Sequence, residues 1–195
     1  MSRKGDAKKR ILEAAGKLFF ELGYSGVGVN QIIQEADTAK ATFYQHYPSK
    51  EILCVAWLDA MHERSELARA EILKSTEEPE VKIDQYFVEL ENFLEGSHFR
   101  GCPFTNTSSV TGEGCESIHK KIEAHKISIR DFFCDLAKQM TNRDVRAREL
   151  GDDFFLLYSG ATMEAQNLRA NWPVQAARRA AAERCQQEVT RSKEG

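Results

Sequence analysis

The sequence lacks most of the features that would mark a membrane protein, a secreted scaffold or an enzyme. No apolar run approaches the roughly 18 residues needed to span a bilayer, and no hydrophobic block near the amino terminus resembles a signal peptide. No membrane partner is therefore expected. Cysteine is sparse and irregular: Cys54, Cys102, Cys115, Cys134 and Cys185 are odd in number and form no CxxC pair. That pattern argues for a reducing cytoplasm rather than a disulfide framework. There is no internal repeat and no β-hairpin signal. A Gly-rich phosphate loop, a nucleophile elbow and an HExxH motif are all missing, so no cofactor and no enzymatic activity are expected.

Net charge is small, −3 across 195 residues, because 27 Lys/Arg nearly balance 30 Asp/Glu. Its distribution is uneven. Residues 1–50 hold eight Lys/Arg against five acids, whereas the remainder holds 19 bases and 25 acids. A positive head on an acidic body suits a chain that presents one end to a polyanion. With 42% hydrophobic residues, the length suffices for a small domain plus a larger one with its own core.

Apolar residues recur at helical spacing almost throughout, which predicts an all-α chain of about nine helices. Ile11, Leu12, Ala15, Leu18, Phe19 and Leu22 form the stripe of a first helix that Gly23 is placed to end. Asn30–Ala36 reads as a short helix, Asp37-Thr38-Ala39 as a tight turn, and Lys40–Tyr47 as a second short helix with Phe43 and Tyr47 on one face. Ser49 can cap a third helix opening at Lys50-Glu51. Two short helices joined by a tight turn, the second with donors on its outer side, make a helix-turn-helix. In such a motif Lys40, Thr42, His46 and Lys50 suit phosphates, and Tyr44 and Gln45 suit base edges.

The run Leu22-Gly23-Tyr24, then Ile32, then Thr42-Phe43-Tyr44-Gln45-His46-Tyr47-Pro48-Ser49-Lys50-Glu51-Ile52-Leu53 resembles the DNA-binding domain of the TetR family of bacterial repressors. The resemblance implies double-stranded DNA as partner. It assigns backbone contacts to Thr42, Tyr44, His46 and Lys50, and sequence choice to Ala41 and Gln45. Three positions depart from the pattern. Val27-Gly28 replaces the usual Thr or Ser before the first motif helix, Asp37 replaces the turn glycine, and Ala39 replaces the capping Ser. Losing such a cap costs about 1 kcal/mol, and Asp37 or Thr38 is expected to substitute for it.

On this reading residues 1–50 form a three-helix DNA-binding domain, and residues 51–195 form a helical bundle for ligand sensing and dimerisation. Glu51–Lys74 is a long lever, and Pro79 opens a helix to about Glu95. Gly96–Gly114 is rich in Gly, Ser and Thr but holds Phe99, Cys102 and Phe104, with a short helix expected near Phe104–Val110. Amphipathic helices follow at Glu116–Met140 and Asp144–Asn171, with Gly160 and Ala161 allowing close approach and Arg178 on the outside of an alanine-rich last helix. That helix is expected to fray from Val189. The resemblance implies a homodimer through the last two long helices, for which a Phe154/Tyr158 stripe is suitable. It also implies a small-molecule effector, with Tyr86, Cys102, Phe104, Phe133, Tyr158 and Met163 as candidate lining.

Gly101-Cys102-Pro103-Phe104-Thr105-Asn106 also resembles a segment of one TetR branch in which some members sense electrophiles or oxidants through a cysteine. This raises Cys102 as a switch beside the plainer role of a small buried hydrophobe. His98-x₃-Cys102 and Cys115-x₃-His119 offer four metal-type ligands at a spacing that matches no zinc motif, so no metal is expected. The expected function is a homodimeric repressor of a palindromic operator, released by a small-molecule or electrophile effector. The alternatives are a ligand-independent activator or architectural protein, or a thiol- or metal-dependent enzyme built on His119, His125, Cys134 and Asp152-Asp153.

Overall fold

The computed structural model describes the backbone of residues 3–112 and 114–194 and the side chains of residues 7–112 and 114–191. The described residues form nine α-helices and no strand: α1 (Arg3–Leu22), α2 (Val29–Glu35), α3 (Lys40–His46), α4 (Lys50–Lys74), α5 (Pro79–Gly96), α6 (Pro103–Ser108), α7 (Glu116–Met140), α8 (Asp144–Leu168) and α9 (Trp172–Glu194). The all-α expectation holds. The last helix continues to Glu194 rather than fraying from Val189. α8 stops three residues early because Arg169 turns left-handed, with φ 49°.

The chain packs as two compact units, residues 1–64 with 103–125 and residues 65–102 with 126–195. α4 and α7 each contribute residues to both. The unit that holds the helix-turn-helix is therefore larger than the 1–50 segment assigned from the motif, since it includes the first half of α4, α6 and the start of α7.

In the first unit the α1 stripe of Ile11, Ala15, Leu18 and Phe19 is buried, together with Ile32 of α2 and Phe43 and Tyr47 beside α3. Leu22, read as part of that stripe, is exposed at the helix end. Gly23 adopts φ 78° and donates its N–H to the Phe19 carbonyl at 3.0 Å, closing α1 where an L side chain would be strained. Leu53, Trp57 and Leu58 of α4 complete this core, with the Phe19 and Trp57 ring centroids 5.5 Å apart. Farther along α4, His62 and His125 of α7 meet Nδ1 to Nδ1 at 3.1 Å. The buried His125 ring lies flat on Phe104, with centroids 3.5 Å apart.

The second unit has an aromatic and aliphatic core including Ile72, Ile83, Phe87, Leu94, Phe133, Leu136, Phe154 and Val174. Phe154 is fully buried and Tyr158 packs on the same cluster, so the pair assigned to an intersubunit stripe belongs instead to this core. Within the unit the close helix approach falls at Gly151, while Gly160 lies open on the surface of α8. A Cβ on Gly151 would lie 2.4 Å from Cys134 Sγ and 2.8 Å from the Cys134 backbone, whereas one on Gly160 would meet nothing within 4 Å. Arg178, expected on the outer face of α9, reaches Asp84 of α5 with two bonds of 2.5 and 2.7 Å. Arg146 likewise joins Glu188 at 2.9 Å. No described helix is long and apolar enough to cross a membrane.

Candidate nucleic-acid interface

Gly28 and Ala39 stand at the capping positions before α2 and α3, and neither residue can offer a side-chain cap. Asp37 takes the left-handed conformation, φ 45°, that the turn requires and that Asp tolerates better than most residues. The expectation that Asp37 or Thr38 would cap α3 is not met, because the capping position is Ala39 and no side-chain oxygen bonds there. Val27, standing where a hydroxyl was anticipated, is only 1% exposed and serves the core. α1 is tied to α2 by Lys17 and Glu35 at 2.7 Å.

Phe43 and Tyr47 anchor α3 from below, which leaves its other flank outward. Lys40, Ala41, Tyr44 and Gln45 are exposed, and Thr42 and His46 are half-buried. The Tyr44 ring stands edge-on to Phe43 at 5.2 Å, so an exposed aromatic is held in a defined direction by a buried one. Tyr44, Gln45 and Ala41 thus offer a ring, an amide and a gap. His46 turns part of its ring inward, where Nε2 is buried without a partner.

Lys50 differs from the other candidates. Its Nζ donates to the carbonyls of Tyr24 and Val27, both at 2.8 Å, and lies 4.3 Å from the Tyr24 ring centroid. Burial lowers the affinity of this ammonium for its proton, and burial also pushes the Tyr24 phenol up to about 12. Ser49 accepts the Ile52 N–H at 3.1 Å and caps α4, as the sequence predicts. The engagement of Lys50 had no local signal, because its partners lie 23 and 26 residues away.

The candidate effector residues divide. Tyr86, Phe133 and Tyr158 come together in the second unit, with Tyr86 stacked on Tyr158 at 4.8 Å and Phe133 edge-on to both. Cys102 is half-buried in that unit, 3.9 Å from Lys126 Nζ. Phe104 belongs to the first unit and Met163 is 47% exposed, so neither joins the aromatic group. Arg69, which periodicity did not single out, is only 2% exposed and donates to Ser65, Ser128, Glu66 and the Tyr86 hydroxyl. Burial beside Tyr86 drives the Tyr158 phenol well above its ordinary value.

His98 and Cys102 belong to the second unit, Cys115 and His119 to the first, and among the described residues no three His, Cys, Asp or Glu gather to hold a metal. Asp152 forms a fork with Arg130, and Asp153 faces Arg184 at 3.6 Å.

Residues 11–56 match the family described as bacterial regulatory proteins, tetR family. The HTH-type transcriptional regulator LmrA of Bacillus subtilis is 32% identical over 109 residues, covering 55% of this chain and 53% of that protein. The chain thus spans about half the length of that relative. The HTH-type transcriptional repressor NemR of Escherichia coli is 26% identical over 139 residues, covering 70% of this chain and 68% of the repressor. Among solved structures, SCO4454, a TetR-family transcriptional regulator from Streptomyces coelicolor, superposes with a TM-score of 0.84 at 23% identity, covering 95% of this chain and 96% of that one. At that identity the likeness speaks to the fold. The motif residues, the uncapped but aromatic-anchored α3 and the domain match together lead to one conclusion: residues 11–56 form a DNA-binding domain of the tetR family.

Proposed function

We propose that the protein is a cytoplasmic homodimeric repressor that reads a two-fold symmetric operator with α3 and releases it when an effector occupies the second unit. The observation that carries this reading is the outer flank of α3. Tyr44, Gln45, Lys40 and Ala41 project from a helix clamped by Phe43 and Tyr47. Phosphate contacts from Lys40 and Thr42 would fix register, and Gln45 and Tyr44 would choose bases. One short helix covers few base pairs, so tight binding calls for two copies spaced about one helical turn apart.

The second copy has a suitable seat on α8 and α9. Leu156, Trp172 and Leu168 are exposed there, and Leu156, Gly160, Trp172, Ala176 and Ala180 line a shallow groove. For the effector, the cluster of Tyr86, Phe133 and Tyr158 packs beside the polar groups of Cys102 and the buried Arg69, so a ligand entering there would meet rings and polar atoms together. Release follows only if the effector binds the two states of the protein with different affinity. The Cys102–Lys126 pair supports a thiol-reactive compound as one kind of effector.

Selection of duplexes from a random library, followed by titration of the chosen site, tests the DNA-binding role. Wild type should enrich an inverted repeat, and Tyr44→Ala with Gln45→Ala should weaken binding to it by about 1–3 kcal/mol per lost base contact. Enrichment of no common sequence would sink the proposal. Exposure to a mild thiol-reactive reagent should release the wild type but not Cys102→Ser; equal release of both removes the electrophile arm alone.

A further inference from the structure

Lys50 is the member of the interface whose charge is already committed. An ammonium has three N–H donors and no acceptor. In Lys50 two of them meet the Tyr24 and Val27 carbonyls at 2.8 Å, and the same charge lies over the Tyr24 ring. The segment it grips, 24–28, precedes α2 and contains Gly26 and Gly28, with no side chain capping the helix that follows. Lys50 itself opens α4, immediately beyond α3 and the Tyr47-Pro48-Ser49 corner. The side chain therefore ties the entrance of the two-helix motif to its exit.

We infer that Lys50 is a positioning residue which sets the angle of α3 through the Tyr24–Val27 backbone, and not a ligand for operator phosphate. The inference rests on the DNA-binding proposal above. A residue that grips phosphate contributes to every duplex alike and to the number of counterions released, so its loss lowers the salt slope by about one. A residue that only aims the reading helix contributes where aim matters. Its loss falls on the cognate sequence and leaves the count of phosphate contacts alone.

The experiment measures full-length protein on the selected duplex and on a random duplex, at several salt concentrations. It compares wild type, Lys50→Gln, Tyr24→Leu and, as the phosphate control, Lys40→Gln. Lys50→Gln should reduce the ratio of specific to random affinity about tenfold or more, with the salt slope of wild type, whereas Lys40→Gln should lower the slope by about one. Tyr24→Leu leaves the Lys50 charge and both carbonyl acceptors in place and removes only the ring beside the ammonium. It should lose part of the specificity at an unchanged salt slope, and it carries the test if circular dichroism shows that Lys50→Gln does not fold. A Lys50→Gln slope reduced by about one with the ratio unchanged would overturn the inference, as would a Tyr24→Leu protein with wild-type specificity. Failure of the wild type to select any duplex would instead remove the DNA-binding proposal, and this assignment with it.

Discussion

The five thiols divide into two chemical groups. Cys54, Cys134 and Cys185 are buried, whereas Cys102 and Cys115 are partly exposed. Burial raises the first three, with Cys54 and Cys185 each pushed up to about 12, so near neutral pH they are protonated and unreactive. Iodoacetamide followed by peptide mass mapping should label Cys102 and Cys115 in the native protein and all five in denaturant. Labelling of Cys54 in the native protein at a rate like that of Cys102 would contradict this packing. Much at this scale was legible in sequence. Phe43 and Tyr47 declared themselves by spacing, and Asp37 by its tolerance of a left-handed turn. Lys50 and Arg69 did not, because a cation's partners are set by tertiary folding: Val27 lies 23 residues from Lys50, and Ser128 lies 59 residues from Arg69.

At the scale of helices, two glycines on α8 give opposite expectations. Gly151→Ala forces a methyl against the Cys134 backbone, which cannot swing aside, and should cost about 1–3 kcal/mol in denaturant unfolding. Within one subunit Gly160→Ala meets nothing, so the unfolding stability of the monomer should be unchanged or raised by up to about 1 kcal/mol. The sequence marked Gly160 and missed Gly151 because small residues mark a possible approach without saying which helix arrives. α3 offers a complementary test. Its capping position is extended, with φ −81° and ψ 147°, and is occupied by Ala39 without a cap bond. Ala39→Ser should therefore stabilise the first unit by about 1 kcal/mol, read from the midpoint of denaturation. Helix ends were the least legible features. α9 persists to Glu194 because residues as late as Glu188, itself buried and paired with Arg146, still pack against the body.

For the molecule as a whole, the buried thiols and the Tyr24 phenol predict an alkaline weakness. The folded values of Cys54, Cys185 and Tyr24, near 12, exceed the ordinary 9 for Cys and 10 for Tyr, so the unfolded chain gives up protons first. Their contribution is fully present below about pH 9 and is lost as pH rises toward 12. Urea midpoints measured across that range should fall, and a Cys54→Ala, Cys185→Ala protein should show a shallower decline. Assembly is the second expectation at this scale. Leu156→Glu with Trp172→Glu places charge on the exposed seat of α8 and α9, and sedimentation should show a dimer becoming a monomer. Unchanged mass would place the interface elsewhere.

The facing imidazoles of His62 and His125 have a consequence of their own. Two rings meeting through the same kind of nitrogen cannot be alike: when both are neutral, one carries its hydrogen at the shared contact and the other must wear it on the far side. With His125 laid flat on Phe104, nitrogen-15 spectra should find two unequal tautomers at this joint rather than a pair of averaged signals.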